Sequence, residues 1–498
     1  MTGLHGVPSA MRHGLLTLCV LSTGCRCCSC PPGPPDASPP DLQPCALPNG
    51  DAPDGGYVLN QLKLSPAALF DDEFAGTPVE LTVCASGAAD LQLHATFFQH
   101  WFDGAGAGIT DVVLDDRGVD GRCGAARSFT ASIAASQTPR LRYGGGTLDA
   151  LPIGVNATDA SGKNVSPAVP ISSQVYLGVV ARAEQVGSSA LAGDVIAAPN
   201  MVNVVVQPGQ CEGEHELGVA AMHRVYAFYP DVFDGFALYE YGLSTTDNIP
   251  RGGPIKNVVS GINLNLFDGS AEYGSDGALH MATWIHTDVL GISQLHEIGH
   301  SYNFYYADPS LDLTRGGGHG VHVGSPTSLI GLMGGTYVLQ PQADGSLLVA
   351  APAITDFNAR QYAFLELHDM GLVPASMVPA DWYVFDPLID TTQSKPGDVI
   401  PKTSATLVSI ADIERVYGVR SPDASASQKS FRFVFIGVSE RPMTAAEIAL
   451  LDRLAGYYAG TDPSSVDDRG LFATHSPASF AWATRGFGTL VTALPPVK

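Results

Sequence analysis

Two histidines four residues apart, His296 and His300, stand in the run Leu290-Gly-Ile-Ser-Gln-Leu-His-Glu-Ile-Gly-His-Ser-Tyr302. On an α-helix that spacing puts both imidazoles on one face, one turn apart, where they can share one Zn²⁺ ion. Glu297 lies beside them, placed to take a proton from a water that the metal activates. The bland alternative is an amphipathic helix that carries an HExxH pattern by chance. A catalytic zinc takes three protein ligands and keeps one position open, so a third group must return from elsewhere in the chain. Arg315-Gly-Gly-Gly-His319-Gly-Val-His322 offers two imidazoles in a glycine-rich loop that can fold back over a helix. Carboxylate alternatives are Asp308, eight residues beyond His300, and Glu366, shortly before Met370. Position ten beyond His296, where metzincins carry their third ligand, is Tyr306, so that longer pattern is not present.

The elements around this run are those that would have to position it. Val289, Leu290, Ile292, Leu295 and Ile298 supply an apolar face, and Thr287 or Asp288 can cap the helix. Leu217 to Tyr229 has helical spacing, and Phe236 to Tyr241 reads as a strand. Further segments follow at Ile262–Leu266 and Leu279–Ile285, with a Gly/Ser-rich loop, 269–277, between them. His280 and His286 flank the last of these and read as surface or supporting residues. Helical pattern resumes from Ala359 to Gly371. The tail has a strand at Phe431–Val438, a helix from Thr444 to Tyr458 and expected β-structure from Phe480 to Val491.

Upstream, Val79–Cys84, Leu91–Phe98, Phe129–Ile133 and Ile153–Ala157 are short segments of strand character divided by Gly, Asp and Pro. They predict a β-sandwich over 57–207, and Gly154 to Asn164 resembles the last strand and turn of bacterial Ig-like modules. Residues 26–56 form a Pro-rich linker. The start, from Met11 to Cys25, has a basic residue, a short apolar core and small residues before a cysteine. It resembles a bacterial lipoprotein signal peptide, which implies lipidation of Cys25 and export to the outer membrane or cell surface, or secretion.

With 498 residues the chain calls for two or three domains. Its 55 Gly and 36 Pro favour turns and β-structure. Acids outnumber bases 49 to 26, and the net charge of −23 argues against nucleic acid and against a polybasic membrane surface. No apolar run reaches the roughly 18–20 residues of a membrane-spanning helix, so contact with a membrane is expected only through the lipid anchor. Of nine cysteines, none follows Cys211. Cys84 and Cys123 are the expected disulfide pair in an oxidising compartment, with Cys45 and Cys211 a second candidate. Oligomeric state has no signature in the sequence.

From Cys211 onwards the chain resembles a family of zinc metallopeptidases encoded in bacterial genomes, many of them lipoproteins. The resemblance rests on Phe228-Tyr-Pro-Asp-Val-Phe-Asp234, the Gly-Ser-Asp-Gly-Ala-Leu279 segment, the HExGH helix, a Met333-Gly-Gly turn and a helix ending Met370-Gly-Leu372. It implies a zincin-like fold, Zn²⁺ as cofactor, a protein or peptide substrate, and His322 rather than His319 as third ligand, although Val323 stands where relatives carry Trp. The expected architecture is therefore multidomain. An N-terminal Ig-like β-sandwich precedes an α/β (α+β) zincin-like metallopeptidase domain, 208–380, and an α/β C-terminal extension, 381–498. A catalytically inactive, peptidase-like binding lipoprotein is the alternative, and a zinc hydrolase acting on glycans or amides is a third reading.

Overall fold

The computed structural model describes residues 56–73, 77–97, 110–120, 123–134, 148–167, 174–206, 214–241, 250–285, 294–303, 305–313, 323–325, 331–333, 337–352, 361–380, 382–385, 397–461 and 479–498. Residues 1–55, which hold the expected signal segment and nearly all of the expected linker, lie outside these residues, as do Cys25, Cys45, Cys211, His286, His319 and His322. The chain is β-rich, with several sheets and few helices. Among the described residues no helix is long and apolar enough to cross a membrane.

The first region holds β1 (Val58–Ser65), β2 (Ala68–Phe70), β3 (Pro78–Ser86), β4 (Gln92–Phe97), β5 (Thr110–Val113), β6 (Asp115–Gly118), β7 (Arg127–Ala134), β8 (Leu148–Thr158), β9 (Asn164–Val165) and β10 (Gln174–Val180). They form two sheets, β1-β3-β7-β6 and β2-β10-β8-β4-β5, with β9 beside β8. Alternate residues such as Val79, Leu81 and Val83 face Leu93, Ala95, Ile153 and Leu177 in one shared core. This is the period-two pattern that a strand with one buried face requires. Cys84 and Cys123 are disulfide-bonded, with Cα atoms 5.3 Å apart.

The second region begins earlier than residue 208. Strands β11 (Ser189–Ala192), β12 (Val195–Ala197) and β13 (Met201–Val205) leave the sandwich and join another sheet. After α1 (Glu214–Phe228) come β14 (Gly235–Tyr241), β15 (Arg251–Pro254), the small hairpin β16 (Lys256–Asn257) with β17 (Phe267–Asp268), β18 (Met281–Ile285) and α2 (Gln294–Gly299). A further sheet is built from β19 (Val323–Ser325), β20 (Tyr337–Pro341), β21 (Leu347–Pro352), β22 (Trp382–Phe385), β23 (Val399–Ile400) and β24 (Ala405–Val408), with α3 (Phe364–Asp369) and α4 (Ile410–Tyr417) beside it in sequence. The chain closes with β25 (Ser430–Ser439), α5 (Ala445–Tyr458), α6 (Phe480–Ala483) and β26 (Thr489–Val491).

The principal sheet runs β11-β12-β13-β25-β14-β18-β15, with β26 on β25. β13, β25, β14 and β18 are parallel, whereas β15 is an antiparallel edge strand. Residues 381–498, expected as a C-terminal extension, contribute to this sheet. They supply β25, the near-continuous apolar run that parallel strands buried on both faces need.

Two local expectations are corrected. Ile262–Leu266 is loop rather than strand, because the buried Asn257 amide donates to the carbonyls of Val259, Leu264 and Asn265 and so satisfies the backbone without a ladder. Phe480 to Val491 opens as a helix, capped by the Ser479 hydroxyl on the Trp482 amide, and only its end is a strand.

The sandwich packs against the C-terminal part of the chain. Ala67, Ala68, Phe70 and Val180 share a core with Leu450, Leu451 and Leu454 of α5, and a methyl group on Gly178 would stand 2.5 Å from Leu450.

Candidate metal centre

Over its described residues, Gln294–Gly299, helix α2 is held by packing. Leu295 and Ile298 are buried in the main core, each stabilising the helix by roughly 1.5–3 kcal/mol. Gln294 is fully buried and fixes the first turn, accepting from the Tyr239 hydroxyl of β14 at 3.1 Å and donating to Thr283 of β18 at 2.8 Å. The Tyr362 hydroxyl donates to the Leu295 carbonyl. Tyr362 is itself tied to the C-terminal segment, through its amide to Ala483 and its carbonyl to Arg485. At the far end the Asn303 side chain donates to the Gly299 carbonyl at 3.1 Å, and the Tyr305 hydroxyl donates to the His300 carbonyl.

Two glycines let neighbours approach this helix. A methyl group on Gly252 of β15 would stand 2.0 Å from the Glu297 carbonyl oxygen, so the edge strand lies directly on the helix backbone. One on Gly299 would stand 2.2 Å from the Met333 sulfur. The glycine of HExGH and the methionine of the Met-Gly-Gly turn are therefore a packed pair.

On this frame the His296 and His300 rings stand edge to face, centroids 4.8 Å apart. His296 Nδ1 lies 2.6 Å from the Leu332 carbonyl oxygen. That oxygen only accepts, so the proton sits on Nδ1 and the ring's lone pair on Nε2. The Glu297 carboxylate is 5% exposed, with Oε2 4.0 Å from His300 Nε2. Two imidazoles and a buried carboxylate in this arrangement fit a zinc ion with a base beside it: the nitrogen donors suit the metal, and a carbonyl orients the first of them.

Of the remaining expected residues, only some are among those described. His319 and His322 lie outside the described residues. Among the described residues no group of three or more His, Cys, Asp and Glu side chains is arranged to hold a metal. Asp308 is exposed in a turn, and its carboxylate accepts from the Ser310 hydroxyl and amide, which hold its pKa below the usual range. Glu366 is fully buried and accepts from three backbone amides, those of Leu332, Met333 and Ala363. That geometry marks an anchor and does not suit a ligand. Tyr306 points into the core, donating to Asp369 at 2.5 Å. His280 is half-buried, with its pKa pushed down by burial.

The Phe-Tyr-Pro-Asp-Val-Phe-Asp motif proves to be a clamp. Asp231 accepts from the Ser275 hydroxyl and the Asp276 amide, and Asp234 accepts from Gln428 and the Arg432 amide. It binds the 269–279 loop and β25 to the end of α1. Sequence reasoning missed the roles of Gln294, Tyr362 and Glu366. Gln294 and Tyr362 are ordinary polar residues whose only signal is an apolar neighbourhood, and Glu366 stood out only as a candidate ligand. No protein-family model, curated protein or solved structure matches the chain.

Proposed function

We propose that this chain is a zinc-dependent peptidase in which His296 and His300 hold the metal and Glu297 is the general base. The observation that carries the reading is the α2 triad: paired imidazoles, one oriented by the Leu332 carbonyl, with a buried carboxylate 4.0 Å from the other. Bound Zn²⁺ would supply a lowered pKa for water and polarisation of a scissile carbonyl. Glu297 takes the water proton and passes it to the leaving amine. A third ligand from the 315–322 loop, His322 first and His319 second, completes the set. The antiparallel edge strand β15, seated on the Glu297 backbone, offers main-chain groups to an extended peptide.

Glu297→Ala tests this directly. The variant should retain bound zinc while turnover of a broad peptide mixture falls at least about a hundredfold. Full activity with metal present would sink the proposal. Zinc binding by the wild type without cleavage would favour a binding protein instead.

A further inference from the structure

We infer that Glu366 is a positioning residue for His296, acting through the backbone of the Leu332–Met333 turn. The inference rests on the zinc-peptidase reading of α2 and adds a residue to it. Glu366 Oε2 accepts from the Leu332 amide at 3.1 Å and the Ala363 amide at 2.8 Å, and Oε1 accepts from the Met333 amide at 3.0 Å. Three of the roughly four lone-pair positions of a carboxylate are thereby used by fixed main-chain donors. The side chain is fully buried. A buried carboxylate persists when hydrogen bonds and a neighbouring cation answer its charge; here the half-buried Arg485 interacts with it electrostatically.

The turn is moulded on this carboxylate. A methyl group on Gly331 would stand 2.0 Å from Glu366 Oε1. One residue further, the Leu332 carbonyl accepts a hydrogen bond from His296 Nδ1–H, with N and O 2.6 Å apart. The next residue, Met333, packs its sulfur against Gly299 at the end of α2. The same two residues that donate to Glu366 therefore touch α2 at both His296 and Gly299. A carboxylate is needed because successive amides, of Leu332 and Met333, point at both of its oxygens. Glutamine would set an NH₂ group against one of them, donor facing donor. The Leu332 carbonyl would then turn, and His296 would lose the partner that fixes its tautomer and ring plane.

The test uses the full chain carrying Glu366→Gln. Histidine ring ¹⁵N spectra of the metal-free protein report the His296 Nδ1–H bond without any appeal to catalysis. Zinc affinity is measured separately by chelator competition. The expected result is a folded protein whose His296 Nδ1–H signal is lost to solvent exchange and whose zinc Kd rises about 10–100-fold, the usual range for a lost outer partner. A folded variant with the wild-type Nδ1–H signal and wild-type affinity overturns the inference. Should Glu366→Gln fail to fold, Gly331→Ala, which pushes the turn off an intact carboxylate, carries the same two expectations and the same refutation. If the wild type binds no zinc while Glu366→Gln still abolishes the Nδ1–H signal, the peptidase reading fails and the positioning role stands.

Discussion

Over their described residues helices α2 and α3 both carry histidine and acid among leucines or isoleucine, yet they use them differently. In α3 every polar side chain is buried and engaged by its surroundings. Glu366 takes three amides, the His368 Nδ1 contacts the Val373 carbonyl at 3.2 Å, and Asp369 takes the Tyr306 hydroxyl. His296 of α2 and His300, the residue just beyond the helix, are four apart on one face, and their rings meet. Glu366 and His368 are two apart, so they point to opposite sides and could not share a ligand. Residue type alone does not separate these two helices; the spacing of the side chains does.

The sharpest way to break this comparison is to remove one histidine from each helix. His296→Ala should weaken zinc binding by more than the roughly 10–100-fold expected of an outer partner, since a direct ligand is lost. His368→Ala should cost about 1–3 kcal/mol of stability, from a lost hydrogen bond and a small cavity, and leave zinc affinity within about twofold. Chelator competition and urea unfolding on both proteins measure the difference. Equal losses of zinc in the two variants would dissolve the distinction.

A smaller effect separates the two neighbours that press on α2. A methyl group at Gly252 meets the Glu297 backbone, which cannot step aside, whereas one at Gly299 meets the end of a methionine side chain. Gly252→Ala should therefore destabilise by about 2–3 kcal/mol and displace the edge strand, with peptide turnover falling along with it. Gly299→Ala should cost about 1–2 kcal/mol, because Met333 can repack. Urea midpoints in the reverse order would show that β15, and not the Met333 turn, is the compliant wall.

What the sequence shows of this arrangement follows from range. Period-two alternation exposed β3, β4, β7 and β8, and i,i+4 spacing exposed His296 and His300, because each is local. Cys84 and Cys123 pair as expected. The placing of β13 and β25 side by side, more than 200 residues apart, has no local signal: both are apolar runs that any parallel sheet would accept. For the same reason the sandwich boundary fell at 207 instead of before Ser189. Ile262–Leu266 alternates as a strand would, and only the buried Asn257 amide, a contact across the loop, overrides it. Glu366 reads equally well as ligand or anchor until its three backbone donors are known.

The finest test of the α3 scaffold is its response to pH. Asp369 is almost wholly buried, and burial pushes its pKa well above the usual carboxylate range. The Tyr306 hydroxyl on Oδ1 and the nearby Arg420 charge pull the other way, Glu366 adds to the rise, and burial prevails. A folded-state pKa above the unfolded value of about 3.9 means the native state holds this proton more tightly. The stabilisation is complete below the unfolded pKa and is lost as pH climbs through the folded pKa. An asparagine side chain in its place would accept from Tyr306 in the same way and has no proton to lose. The Asp369→Asn variant should therefore match the wild type near pH 3.5 and become progressively more stable relative to it as pH rises towards neutrality, an interval that begins at about the unfolded pKa. At each pH the zinc affinity of the variant should equal that of the wild type, since the hydroxyl on this carboxyl belongs to Tyr306 and the nearby cation is Arg420. Urea midpoints measured across that interval give the answer. A constant difference between the two proteins would mean that Asp369 titrates in the native state as it does in the unfolded chain, so that near neutrality α3 tolerates a buried charge there.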